Sequence, residues 1–217
     1  MLKHVFVIAA LAVSIGSTAQ SSFDRGANVI DLRGEVAAYK TQSHDKTTNT
    51  SSDGGAASKL LNLSYEHGIF EIIGVGLKVQ YDSYFTEEDT IYHTPPQATE
   101  YVTPSIKSFD IAPVANLHLV RGPHFDLALG VTYGVSFLTY RRNDSEDARA
   151  HGTGSWFDAH LTPRFYFGDH FGMQLNLSYA RFSYPNVIAE SSYVQPINAF
   201  SLKGGGMTFG LGFNYHI

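Results

Sequence analysis

The chain has 217 residues, a formal net charge of −5, 43% hydrophobic and 16% charged residues, and no cysteine. That length fits one domain; the lack of Cys excludes disulfides, thiolate zinc sites and Cys nucleophiles, and the scattered, mildly acidic charge is no footprint for nucleic acid. Beyond the N-terminus no apolar run approaches the roughly 20 residues of a membrane helix, while Gly (20), Tyr (13) and Phe (15) are abundant, a mixture suited to twisted strands, tight turns and aromatic belts.

Lys3 and His4 precede an apolar run from Val5 to Ile15, followed by Gly16, Ser17, Thr18 and Ala19. A basic end, a short apolar core and a small-x-small site predict a secretory signal peptide over residues 1–19, leaving 20–217 as the mature domain.

Alternation of period two dominates the rest and predicts eight strands with two unlike faces. The first, about 28–40, sets Ile30, Leu32, Val36 and Ala38 against Asp31, Arg33 and Glu35. The second, about 59–66, sets Leu61, Leu63 and Tyr65 against Asn62, Ser64 and Glu66. The third, about 71–84, alternates Ile73 to Tyr81 with Gly74, Gly76, Lys78, Gln80 and Asp82. The fourth, about 106–119, opposes Phe109, Ile111, Ala115 and Leu117 to Asp110, Asn116 and His118. The fifth runs from Phe125 to Phe137, with Asp126, Gly130, Thr132, Gly134 and Ser136 on its polar face. The sixth, about 156–167, opposes Phe157, Leu161, Phe165 and Phe167 to Asp158, His160, Thr162 and Arg164; the seventh runs from Phe171 to Tyr179 and the eighth from Met207 to Ile217.

The connections are sorted by length. Stretches 41–58, 85–104, 139–154 and 183–203 read as long polar loops, and 67–70, 120–124 and 168–170 as short turns. In an up-and-down barrel this puts the long loops on one side and both termini with the short turns, as in outer-membrane barrels. Pro113 and Pro163 fall inside strands and each removes a ladder donor; bulges near the turn-side strand ends are expected to absorb them. Tyr39, Tyr81, Tyr84, Phe137, Tyr140 and Trp156 are assigned to a loop-side aromatic belt, and Tyr65, Phe125, Phe165, Phe167 and Tyr215 to a turn-side one.

With these patterns the mature chain resembles the small outer-membrane β-barrel families, including the OmpX-type, the OmpA-transmembrane-type and the porin-like barrel proteins of Bacteroidetes. The most specific piece is Thr208-Phe209-Gly210-Leu211-Gly212-Phe213-Asn214-Tyr215, similar to the C-terminal assembly signal of such barrels, with Gly210, Phe213 and Tyr215 at its key positions and His216 and Ile217 extending past the aromatic. Thr162 to Asp169 resembles a strand-and-turn unit of the same families. The resemblance implies an all-β, eight-stranded antiparallel up-and-down transmembrane barrel in the outer membrane with periplasmic termini. It also implies contact with outer-membrane lipid and lipopolysaccharide, and with the barrel-assembly machinery during biogenesis.

An eight-stranded barrel has an interior just wide enough for side chains to fill. The face predicted to line it carries Asp31, Glu35, Glu66, Asp82, Asp110, Asp126 and Asp158 with Arg33, Lys78 and Arg164. The expected outcome is an ion-paired plug with glycines making room, and hence a structural or surface-interaction protein; the alternative is a narrow cation-preferring, porin-like channel. Asp158 and His160 share a face, and an Asp orients an imidazole in some hydrolases, so a barrel enzyme acting on lipid or peptide is a second alternative. Without a His-x-Ser element no catalytic role is assigned, and His160 joins the polar lining. His44, His93 and His151 lie in separate loops without metal-ligand spacing, and no Gly-rich phosphate loop opens a helix, so no cofactor is expected. The loops are the candidate contact for an extracellular ligand.

Overall fold

The computed structural model describes residues 22–86, 89–91, 100–142, 148–168, 170–190 and 199–217; the expected signal peptide lies outside them. Strands run in chain order as β1 (Asn28–Asp45), β2 (Thr50–Gly68), β3 (Ile73–Tyr84), β4 (Asp89–Ile91), β5 (Glu100–Val102), β6 (Ser105–Arg121), β7 (Phe125–Arg141), β8 (Arg149–Tyr166), β9 (Phe171–Glu190) and β10 (Ala199–His216). Short β4 and β5 pair only with each other, and the other eight close a barrel in the order β1-β10-β9-β8-β7-β6-β3-β2. All neighbours are antiparallel, and β1 meets β10 from Val29↔His216 to Asp45↔Phe200. Closure leaves no edge, which a bilayer demands because its core holds no water to satisfy unpaired backbone groups.

The expected alternation is realised with its polar side inward. Along β6, Ser108, Asp110, Ala112, Val114, Asn116 and His118 are buried while Phe109, Ile111, Leu117 and Leu119 face out. Leu32, Leu63, Val131, Leu177 and Phe209 are 48–51% exposed on the outside. An apolar belt running around the whole barrel is stable against lipid rather than water. The polar core and apolar coat invert the plan of a soluble domain, and the fold is a transmembrane β-barrel.

Three expectations are corrected. First, the stretches read as long loops are largely strand. Residues 41–45 and 50–58 continue the β1–β2 ladder without a register change up to Asp45↔Thr50. At about 3.3 Å per residue the 18 residues of β1 span about 60 Å, far more than an apolar band about 25 Å tall requires, even with strands tilted by about 40°. The upper strand faces water on both sides, so its Ser, Thr, Asp and Gly show no alternation to read. The tip is fixed locally: Asp45 Oδ1 accepts from the amides of Thr47 (2.7 Å) and Thr48 (3.0 Å), and Asn49 takes φ 55°. Likewise β7 and β8 reach Arg141 and Arg149, and β9 runs to Glu190.

Second, no bulge absorbs the prolines. Pro113 lies mid-strand in β6, paired with Leu77, and around it Ala112 and Pro113 lack partners on β7 while the register either side is unchanged. Pro163 pairs with Leu127, and around it Thr162 and Pro163 lack partners on β9 while the register either side is unchanged. The register shifts fall elsewhere, between His118 and Val120, Thr153 and Ser155, and Phe200 and Leu202. Each proline costs a ladder contact on one side only, because successive amides in a strand point to opposite neighbours.

Third, part of the loop-side belt points inward. Tyr39 and Trp156 are buried at 5% and 3%, and half-buried Tyr84 and Tyr140 also have inward parity. Strand-end position suggested an interface, but the parity of Arg33, Asp82 and Asp158 on the same strands decides the side. Tyr81 and Phe137, and on the turn side Tyr65, Phe165, Phe167 and Tyr215, do face out.

Candidate functional site

Among the described residues, the lumen is the one place where ionisable groups from all parts of the chain converge. Asp31, Arg33, Glu35, Glu66, Lys78, Asp82, Asp110, Asp126, Asp158, His160 and Arg164 all lie inside the barrel at 0–6% exposure. They form layers along the axis.

At the turn side, Arg164 of β8 is the hub. Its Nη2 donates to Asp31 Oδ2 (2.9 Å) and Glu66 Oε2 (2.8 Å), and its Nη1 to Asp126 Oδ2 (3.3 Å). His118 of β6 bridges two of these acids, with Nδ1 2.8 Å from Asp126 and Nε2 2.8 Å from Glu66. The segment before β1 folds under this layer. Phe23 is fully buried, its ring stacked on the His118 imidazole at 3.5 Å between centroids and 10° between planes. Backbone bonds from Ser22 to Gly122 and from Gly26 to Gly68 pin the segment to two turns, and Arg121 donates to the Phe23 carbonyl. A side chain at Gly68 would strike the Asp24 carbonyl at 2.3 Å, so that close approach requires glycine.

The middle layer has two groups. Lys78 of β3 lies 3.4 Å from Asp158, whose Oδ1 meets His160 Nδ1 at 2.7 Å; His160 Nε2 meets Asn116 Oδ1 at 3.0 Å. Across the lumen Arg33 Nη1 donates to Asn176 Oδ1 (3.1 Å), and Glu35 accepts from Asn176 (3.2 Å) and Thr208 (3.2 Å). Above them Gln80 Nε2 donates to both Asp82 (3.3 Å) and Asp110 (3.2 Å).

An apolar layer closes the loop side. Tyr39, Leu60, Leu138, Trp156, Phe182, Tyr184 and Val187 form one buried cluster. Phe182 meets Tyr39 edge-on at 5.3 Å and Tyr184 at 5.6 Å, and Tyr84 packs at 6.4 Å. The Lys78 ammonium sits 4.7 Å over the Trp156 ring, joining this layer to the charged one by a cation–π contact.

Chemically, this arrangement holds charge and does not present it. His160 has both ring nitrogens engaged and is buried with Asp158, so no imidazole nitrogen is turned toward a nucleophile. Among the described residues no group of three or more His, Asp or Glu has metal-binding geometry. His151 of β8 is exposed and His44 of β1 half-buried, His44 meeting Ser51 at 3.1 Å, while His93 lies outside the described residues. Gly210 is inward and makes room: a Cβ there would lie 2.3 Å from Glu35 Cγ. Phe213 and Tyr215 are about half exposed on the outer face, beside the β1–β10 closure. His118, Asn116 and Asn176 were not singled out from the sequence although their parity matches the acids beside them. Phe23 carried no signal, since it precedes every alternating segment.

Solved structures of the same shape come from outer membranes. Outer membrane protein OprG of Pseudomonas aeruginosa matches with a TM-score of 0.55 at 14% identity, over 90% of this chain and 97% of that one. The fold is that of the small outer-membrane β-barrels. The outer membrane protease OmpT of Escherichia coli matches at 0.54 and 8% identity, covering 93% and 99% of the two chains. A major outer membrane protein of Thermus thermophilus matches at 0.51 and 11% identity over 88% and 99%. No protein-family model matches the chain, and none of the curated proteins matches it in sequence.

Proposed function

We propose that this protein is an outer-membrane barrel with a closed lumen and a structural or surface-interaction role. The observation that carries the reading is the stack of three closures: the Phe23 segment under His118, the ion-paired layers around Arg164 and Lys78, and the aromatic layer around Phe182. A hydrated ion has to displace all three. Fold, apolar belt and the leader expected at residues 1–19 support location in the outer membrane. In that setting Ser22 and Ile217, which lie with the short turns, face the periplasm.

On this reading Gly210, Phe213 and Tyr215 form the signal read by the assembly machinery, the belt contacts lipid and lipopolysaccharide, and the protruding β1–β2 hairpin is the surface offered to an extracellular ligand. The decisive measurement is conductance of the refolded full chain in a planar bilayer. The closed-lumen reading expects no resolved ohmic steps in molar KCl; regular steps from every inserted molecule would replace it with a porin-like channel.

A further inference from the structure

The outer face carries a built feature that the lumen reading does not use. A groove of about 1010 Å³ crosses the outside of the barrel near the loop-side end of the apolar belt, with Lys40, Arg181, Lys203, Tyr133, Phe157 and Tyr179 among its walls. Its floor is backbone at Gly205 of β10, which pairs with Lys40 on one side and Arg181 on the other. With strands about 4.8 Å apart, those two cations are rooted about 10 Å from each other across a bare glycine. A methyl group at Gly205 would sit 3.0 Å from the Tyr179 hydroxyl and 3.2 Å from Arg181 Cγ, so both side chains lean over the gap. Lys203 stands two residues further along β10, on the same outer face.

Two observations specify the occupant. The first is unmatched charge. Among the described residues Lys40, Arg181 and Lys203 form no ion pair, and the groove's carboxylate, Asp53, accepts from Gln42 at 3.2 Å. The second is placement. Lys40, Lys59, Lys107 and Arg181 are each the first outward residue beyond the apolar run of their strands, while the turn-side ends of the outer face carry Asn28, His67, Leu119, Phe171 and Tyr215. Cations therefore gather at one rim of the belt. The groove opens downward onto Tyr179, Met207 and Tyr133, which are 45–65% exposed on the belt itself.

We infer that this groove binds the phosphorylated headgroup of a lipid in the loop-side leaflet, with Lys40, Arg181 and Lys203 on the phosphate and the acyl chains along Tyr179 and Met207. A soluble phosphate would gain only exposed, screened charge contacts; a lipid adds burial of the aromatic wall and starts at the right depth. The inference rests on the membrane-embedded reading above, and its test separates the two.

The full chain is folded in uncharged detergent and in phosphatidylcholine vesicles, with heat-dependent gel migration reporting the barrel. A diphosphorylated glucosamine lipid is then added and retained molecules are counted by native mass spectrometry. The wild type is expected to retain one such lipid. The K40Q/R181Q/K203Q variant should bind at least ten-fold more weakly, and Gly205→Leu, which fills the floor and leaves the cations, should lose it too. K59Q/K107Q, which removes rim charge outside the groove, should retain it. Equal retention by the triple variant, equal loss by the rim control, or full displacement by inorganic phosphate would overturn the site while the barrel stands. A wild type without a heat-dependent shift would overturn both readings.

Discussion

Arg164 meets carboxylates from three other strands with a single guanidinium, which ties four strands together at one point. Its fork supplies donors to all three at once, which a Lys ammonium on a shorter reach cannot reproduce. Replacing it by Met leaves Glu66 and Asp126 with His118 alone and Asp31 with the Ser64 hydroxyl alone. Breaking a buried ionic cluster from one side costs about 3–5 kcal/mol, so Arg164→Met is expected to lower the urea midpoint of the folded barrel strongly, read by fluorescence of Trp156. Gly130 makes a second case. It lies between Asn116 and His160 in the ladder, and a Cβ there would fall 2.0 Å from Asn116 Oδ1 and 2.1 Å from His160 Nε2. Gly130→Ala should displace that contact and destabilise by about 1–3 kcal/mol, the usual range for overpacking, whereas Gly168→Ala, with open space around it, should be near neutral. At this scale parity made the inner acids legible. What it could not say is which acid meets which base, because partners such as Asp31 and Arg164 are 133 residues apart. Tyr39 and Trp156 were misplaced where position along the strand was read ahead of parity.

Strand identity was legible wherever one face met lipid and the other the lumen, because only there do the two faces differ. Above the belt both faces are wet, so the end of the alternation at Lys40 marked the edge of the membrane and not the end of β1. Two expectations follow for the β1–β2 hairpin. Replacing residues 43–52 by an Asn-Gly turn, which suits a two-residue hairpin, should leave heat-dependent gel migration of the barrel unchanged, since the ion-paired lumen layers are built from other residues. Loss of folding would show that the extension nucleates the barrel. Within the tip, the Thr47 and Thr48 amides donate to Asp45 and hold its carboxyl below the usual carboxylate range. The folded form is favoured by the charged state, so the ordering it gives is present at neutral pH and fades as pH falls through that lowered value. Amide exchange at Thr47 and Thr48 should quicken on acidification, and should be fast and pH-independent beyond the intrinsic trend in Asp45→Ala.

On the closed-lumen reading the closures act in series along one axis, and barriers in series are governed by the tightest. The aromatic layer and the Phe23 segment cap the two ends, and between them lie the bonded charges around Arg164 and Lys78. Trimming only the ends, with Tyr39→Ala, Phe182→Ala and Phe23→Ala combined, should therefore widen both mouths and still give no resolved conductance in a planar bilayer. Cutting the middle as well, by Arg164→Ser in that background, removes the hub and leaves seven buried acids (Asp31, Glu35, Glu66, Asp82, Asp110, Asp126 and Asp158) against Arg33 and Lys78. Repulsion among the acids then opposes re-closure and draws in counter-ions. That variant should conduct, and its reversal potential in a KCl gradient should report a preference for K⁺ over Cl⁻. Conductance after trimming the ends alone would show that the charged layers are permeable as they stand, and anion preference in the quadruple variant would show that ions pass along another path.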